Sequence, residues 1–346
     1  MKFVVLLLPL AACAADSPSL DDVADAVNGG HCNVWMCGTN SPVMDGLDFH
    51  ELNINGLVND QGFSLQPMPI GQSIYKLTVQ DGQFVARRTS GANTDPATYR
   101  NEDLIDRSIP IGFNGTTQAL RIRAVQENTE YWAYALGVAY QPTFYSYVIE
   151  WNPAFPGKDA DWGPLCATPS PDEDLKMDEY HALVFEGERI RSDTKVIEPQ
   201  LDTNWFNIGC AGSTLAKLQL TGHTQVAQAH GFSNTIAQRQ TMVKMLSADY
   251  CGKGVPFTVA GQPLQWMDYD GVTMKVTSAG EIEAKWTPEG AVCLNTPRVV
   301  ANPTKASAQT FGTTTDKLLG QIGDVCDVPP RCEGSPPEYL TSWNPK

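Results

Sequence analysis

The chain has 346 residues, 42% of them hydrophobic and 9% aromatic, which is enough to build a full core. Its 24 Lys and Arg stand against 39 Asp and Glu, and a net charge of −15 repels nucleic acid and anionic lipid headgroups, setting both aside as partners. Only 18% of residues are charged, and 29 Gly with 24 Pro point to many turns and short elements rather than long helices.

The first element is a targeting segment. Met1-Lys2 is a short positive start and Phe3 to Ala12 an uncharged, mostly apolar run. Such a run suits a signal peptide and falls short of the roughly 18 apolar residues that span a bilayer. Leu10-Ala11-Ala12-Cys13 resembles the bacterial lipobox, so residues 1–12 are expected to be removed and Cys13 acylated. Ala14 at the next position implies sorting to the outer membrane, on its periplasmic or outer side. The alternative is cleavage after Ala14 or Ala15, which gives a soluble secreted protein. Residues 13–30 are small, acidic and turn-rich, a tether from lipid to domain.

A β-rich domain is expected over 31–165. Ile74 to Val79 and Gln83 to Ala86 alternate around Asp81-Gly82, a hairpin signal. Leu120 to Val125 alternates again, an aromatic run follows from Tyr131 to Tyr140, and Tyr145 to Trp151 is a further strand. Strands at this spacing predict an antiparallel sandwich or barrel. The Pro- and Asp-rich segment 167–174 is a linker or exposed loop.

Residues 166–300 are expected to form a second, disulfide-stapled domain with two helices and antiparallel hairpins, giving an α+β, β-rich fold overall. A hairpin is predicted over His181 to Arg191. One helix is predicted from Ser213 to near Gly222, and another after Ser233-Asn234 through Leu246. Strands are predicted at Pro256 to Val259, Leu264 to Met267, Glu281 to Trp286 and Ala291 to Leu294. The final stretch, 301–346, is expected to be an irregular extension.

Without Cys13 the cysteines are even in number: Cys32, Cys37, Cys166, Cys210, Cys251, Cys293, Cys326 and Cys332. In an oxidising compartment an even set reads as disulfides, and zinc is disfavoured because no pair has the Cys-x-x-Cys spacing. Short loops cost least to close, which favours Cys32 with Cys37 and Cys326 with Cys332. Cys251 with Cys293 would clamp the second helix to the following sheet.

At Ser247-Ala248-Asp249-Tyr250-Cys251-Gly252 the chain resembles the ADYC domain family. The likeness extends to Phe206 to Cys210, Thr214 to Lys217, Lys285 to Cys293 and Thr296-Pro297-Arg298, about residues 165–300. It implies a secreted or lipid-anchored protein of a Gram-negative bacterium and brings no reaction with it. The family pattern also implies a cysteine soon after Lys217, where Leu218 stands, so a bridge of the relatives is absent or rerouted here.

Candidate chemistry is sparse. There is no Gly-x-Ser-x-Gly, and Ser213 with Lys217 is one residue longer than the Ser-x-x-Lys of penicillin-recognising enzymes, so a helix-capping serine and a solvated lysine are expected. His50-Glu51 lacks a second histidine, and Asp268 to Gly271 imitates a calcium loop with Trp266 at its first position. His31 adjoins Cys32 and could assist a thiolate only if that cysteine were reduced. His223 and His230 flank the loop between the helices and are candidates for one cleft. Asp249 is the third candidate: it follows a helix C-terminus, where an anion needs a partner such as Arg239, Lys244 or Lys253. It is either a turn-capping ion pair or a general acid/base with a perturbed pKa.

No cofactor or metal is expected. The leading expectation is a non-catalytic envelope lipoprotein that binds a partner protein, glycan or small ligand, with Trp132, Tyr134, Tyr140, Trp151 and Trp205 as candidate stacking residues. The alternatives are an envelope hydrolase or transferase built near Asp249, and a structural envelope component.

Overall fold

The computed structural model describes residues 41–344 apart from 43, 45–46, 48–49, 130–142, 157, 159–160, 167–180, 199–203, 230–233, 269–280 and 334–339. Cys13, His31, Cys32, Cys37, His230, the aromatic run 131–140 and the linker 167–174 therefore lie outside the described residues.

The strands of the first half are β1 (Glu51–Asn53), β2 (Phe63–Leu65), β3 (Met68–Ile70), β4 (Ser73–Gln80), β5 (Gln83–Ser90), β6 (Thr98–Arg100), β7 (Ser108–Phe113), β8 (Thr116–Thr129), β9 (Thr143–Asn152) and β10 (Gly163–Pro164). There follow β11 (His181–Glu186), β12 (Ile190–Arg191), β13 (Val196–Ile197) and β14 (Trp205–Cys210), then helices α1 (Thr214–Leu220), α2 (Gln225–Ala229) and α3 (Ile236–Leu246). The chain ends with β15 (Gln265–Asp268), β16 (Ile282–Thr287), β17 (Gly290–Leu294), α4 (Arg298–Ala301), α5 (Lys305–Thr310), α6 (Thr315–Gly323) and β18 (Leu340–Trp343).

One antiparallel sheet runs β1-β14-β11-β9-β8-β7-β2, with β10 attached to β9. It nearly closes on itself, and Asn59 draws the ends together. The Asn59 side-chain amide donates to the Glu51 carbonyl at 3.1 Å, and its oxygen accepts from the Phe63 N–H at 2.8 Å. A second sheet, β3-β4-β5-β6, lies against this barrel. Its hairpin turns at Asp81-Gly82, where both residues have positive φ (52° and 67°), the geometry that an Asp-Gly pair supplies with least strain. Alternation along β4 buries Tyr75, Leu77 and Val79, which share a core with barrel residues such as Ile109, Tyr147 and Phe206. The Tyr147 hydroxyl fastens the two sheets, accepting from Phe84 N–H at 3.1 Å and donating to Asn101 Oδ1 at 2.8 Å.

A separate core forms between α3 and the sheet β15-β18-β16-β17. Trp266 and Trp286 are 1% and 0% exposed there, each removing about 150–250 Å² from water. Helix α3 is buried nearly all round, so its sequence shows no apolar stripe, and each polar side chain must find a partner. Arg239 pairs with Glu188, Gln240 exchanges bonds with the backbone of Ile197 and Lys195, and Lys244 pairs with Asp249.

Several expectations change. His181 to Arg191 is not a hairpin: β11 lies inside the barrel between β9 and β14, while β12 pairs with β13. Pro256 to Val259 is not a strand. Helix α3 is capped by Thr235, whose hydroxyl accepts from Gln238 N–H, rather than by Ser233-Asn234. The expected irregular extension 301–346 holds two helices and β18, an inner strand that pairs with both β15 and β16. Pro-rich flanks concealed a strand that the hydrophobic core requires. The division expected at residue 165/166 falls inside one sheet, because β11 and β14 hydrogen-bond with β9 and β1 from before it.

Three disulfides join described residues: Cys166–Cys210, Cys251–Cys326 and Cys293–Cys332. They replace the expected Cys251–Cys293 and Cys326–Cys332 pairs. Closing the shortest loop lost to topology, since α6 carries Cys326 to the C-terminus of α3 while Cys332 reaches β17. Cys251–Cys326 spans 75 residues, and the chain-entropy relation gives it about 4 kcal/mol. Cys251→Ala and Cys326→Ala should each lower the melting temperature, and the double change should cost little more than either. Peptide mapping that recovers Cys251 joined to Cys293 would refute this pairing.

Candidate functional site

The motif Ala248-Asp249-Tyr250-Cys251 lies where α3 ends. Helix α3 closes with Ser247 at its C-cap and Ala248 at φ 49°. Ala248 N–H donates to the Met245 carbonyl at 3.1 Å and Asp249 N–H to the Lys244 carbonyl at 2.9 Å. This is a Schellman ending with alanine in the left-handed position glycine usually takes. The strain is about 1–2 kcal/mol, and burial of the Ala248 methyl (0% exposed) in the core offsets it.

Asp249 is fully buried and its oxygens are occupied. Oδ2 accepts from Lys244 Nζ at 2.8 Å and Gly254 N–H at 2.7 Å, and Oδ1 accepts from Lys253 N–H at 3.0 Å. Lys244 Nζ also donates to the Thr194 carbonyl at 2.9 Å. Of the three cations expected to compensate this carboxylate, Lys244 supplies its side chain and Lys253 its backbone, whereas Arg239 binds Glu188. The loop beyond is held close: a Cβ on Gly252 would lie 1.7 Å from the Glu289 carbonyl oxygen.

Tyr250 turns the other way. Its hydroxyl donates to Glu283 Oε1 at 2.6 Å, and Arg298 Nε donates to the same oxygen at 2.7 Å. Ser342 Oγ donates to Glu283 Oε2 at 2.9 Å and accepts from Trp286 Nε1 at 2.9 Å. Burial and the Glu283 charge push the Tyr250 phenol far above its ordinary range. Burial works against the Arg298 cation, but the same carboxylate outweighs it and raises the guanidinium. Cys251 completes the motif in its bridge to Cys326.

The other described candidates have partners of their own. His223 is buried, with Nδ1 3.0 Å from Thr221 Oγ1 and its ring edge-on to Trp266, and the structure joins Asp249 to Lys244 instead. His50 places its ring nitrogens 3.2 and 2.7 Å from the carbonyl oxygens of Leu47 and Ile190. Trp205 lies under the Arg189 guanidinium, 4.7 Å from the ring centroid, so its face is already covered. Sequence reading missed a buried Ser146–His181 pair (Oγ to Nδ1 2.8 Å) across β9 and β11, which register alone could bring together.

Ser213 caps α1 as expected, but Lys217 is not solvated: it is fully buried. Burial, and then the Arg298 charge, lower its pKa from 10.5 to about 7. Nothing in the sequence signalled this, because a lysine on a short helix is normally placed in water.

An open groove of about 410 Å³ lies where the barrel stays unclosed, between the end of β1, the end of β2 and the face of β4. Ile54, Asn55, Gln66, Pro67, Ile74 and Lys76 line it, with Lys76 Nζ reaching across to Asn55 Oδ1 at 2.5 Å.

A family model for the ADYC domain matches residues 101–300, more than half of the chain. The chain belongs to the ADYC domain family. The match starts well before the motifs that first pointed to it and takes in β7, β8 and β9, in keeping with a domain that includes part of the barrel. No curated protein and no solved structure matches the chain.

Two measurements check the buried Asp249 and Lys217 as parts of the fold. Asp249→Ala strands the Lys244 ammonium in the core and should cost about 3–5 kcal/mol in denaturant unfolding, and adding Lys244→Met should recover much of it. A recovery absent from the double variant would show that Asp249 acts other than through Lys244. Lys217 gives a pH signature. It is charged in both states below pH 7 and neutral in both above 10.5, and between these the unfolded chain binds more protons. Stability should therefore climb with pH through that window, while Lys217→Met should be flatter and more stable near pH 6.

Proposed function

We propose that the protein is an exported cell-envelope lipoprotein, held through Cys13, that binds a ligand rather than transforming it. The observation that carries this reading is the state of Asp249. The carboxylate that the sequence offered as a general acid or base is filled by Lys244, Lys253 and Gly254, and releasing it would unpair a buried ammonium. Supporting it, six described cysteines are oxidised, the condition of an exported chain. The groove at the barrel seam is the candidate ligand site. Its lining offers amides, aliphatic carbon and one ammonium, with no carboxylate or imidazole among the lining residues.

Outer-membrane anchoring belongs to the same reading and rests on Leu10 to Cys13. The native protein should enter the detergent phase and carry lipid mass on its N-terminal peptide, and Cys13→Ala should release it or block processing. A mature terminus at Ala15 or Asp16 without lipid would sink the anchor and leave secretion. Capture from envelope extract, scored for bound protein and glycan, tests the binding half: wild type should retain a ligand that Asn55→Trp, which fills the groove, loses. Turnover of an envelope substrate by the purified protein would overturn it.

A further inference from the structure

From the outer face of the β4–β6 sheet, we infer that this surface binds an acidic oligosaccharide, a sugar chain carrying carboxylate or phosphate groups. This deepens the binding-module reading and rests on it. Residues 74–100 hold four cations against two carboxylates, in a chain whose net charge is −15. Alternation turns Ile74, Lys76, Thr78 and Gln80 of β4 away from the core. Register puts Arg87 opposite Lys76, and Arg100 opposite Val85, two residues along β5 from Arg87. The Cβ atoms of these residues thus sit about 5 Å apart across one pair and about 7–8 Å along the diagonal.

Both guanidiniums converge on one neutral oxygen. Arg87 Nη2 donates to Gln80 Oε1 at 2.8 Å and Arg100 Nη2 to the same atom at 3.3 Å. Like charges brought to one amide gain little from it and repel each other. Elsewhere Arg121, Arg123, Arg189, Arg191, Arg239 and Arg298 are all ion-paired, whereas Lys76, Arg87 and Arg100 form no ion pair among the described residues. Three neighbouring carboxylates are engaged otherwise. Asp95 accepts from Ser73 Oγ at 2.6 Å, Asp103 from Arg100 N–H at 3.3 Å, and Glu186 from the hairpin N–H groups of Asp81 and Gly82. The face is a set of planar forks awaiting an oxyanion.

The surroundings select a sugar. Thr78, Thr89 and Thr98 add hydroxyls to the same sheet, and Asn55 and Gln66 add amides where Ile74 and Lys76 lead into the groove. These neutral donors and acceptors match a hydroxylated chain. A bilayer is disfavoured because the chain as a whole is acidic and, among the described residues, β4 and β5 turn no aromatic side chain to this face.

Isothermal titration of the full-length protein with oligogalacturonate, a phosphorylated mannan and a neutral maltooligosaccharide tests the assignment, with phosphatidylglycerol vesicles as a fourth arm. At least one acidic glycan should bind, the neutral one should not, and raising salt from about 50 to 300 mM should weaken binding severalfold. Arg87→Gln with Arg100→Gln should weaken it about tenfold or more, with an unchanged melting temperature. Acidic-glycan binding that the double variant leaves intact, or binding of the neutral glycan alone, overturns the assignment but leaves the binding-module reading standing. Vesicle binding without glycan binding, lost in the double variant, makes the face a membrane contact and overturns it too. A chain that retains nothing from envelope extract and binds no probe defeats both readings.

Discussion

A carboxylate taken wholly out of water is costly unless every lone pair is used, and Glu283 is in that position. It is 0% exposed and is met by Tyr250 from the end of α3, by Arg298 at the start of α4 and by Ser342 on β18. These groups come from segments up to 92 residues apart. None of them can be placed before the others, so the second core forms as a unit or leaves an unpaired charge inside. The C-terminal residues are bound into the fold by the same requirement: without Ser342, Glu283 and Trp286 Nε1 both lose a partner. The Cys251–Cys326 and Cys293–Cys332 bridges then tie motif and β17 to the two segments that flank this hub.

The two cores meet through α1. Its Ala216 and Leu220 pack on Phe144 and Leu183, the outward side of barrel strands β9 and β11, while Leu215 and Leu218 enter the second core. A seven-residue helix buried on both faces has no solvent side on which to place Lys217, which is why a lysine sits there with a lowered pKa. Residue 218 belongs to that packing as well. A leucine there fills core volume.

Local chemistry was readable where a short segment decides its own shape. Asp81-Gly82 specified its turn, Ser213 its cap, and the strands from Ile74 to Trp151 their alternation, because each depends on neighbours a few residues away. Cysteine parity gave oxidation but not connectivity, since loop length weighs less than where α6 and β17 bring their sulfurs. The hairpin expected at His181 to Arg191 failed for the same reason: β11 pairs with strands from both halves, which only the whole sheet dictates. Asp249 was legible as a residue in need of a cation, and the structure chose Lys244 five residues back. The converging Arg87 and Arg100 were not legible, because their meeting at Gln80 needs the register of three strands.

Each letter of the family motif is spent on folding: Ala248 ends the helix, Asp249 neutralises Lys244, Tyr250 joins Glu283, and Cys251 closes a bridge. Membership therefore specifies an architecture. The matched span begins at residue 101, whereas Lys76, Arg87, Arg100 and the whole groove lining lie before it. The β3–β6 sheet stacks on the barrel through apolar side chains and the Tyr147 hydroxyl, so its outer face can change without disturbing either core. A scaffold of this kind separates the residues that must stay for stability from those free to suit a ligand. The chemistry that distinguishes this chain should accordingly be sought on the face the motif does not reach.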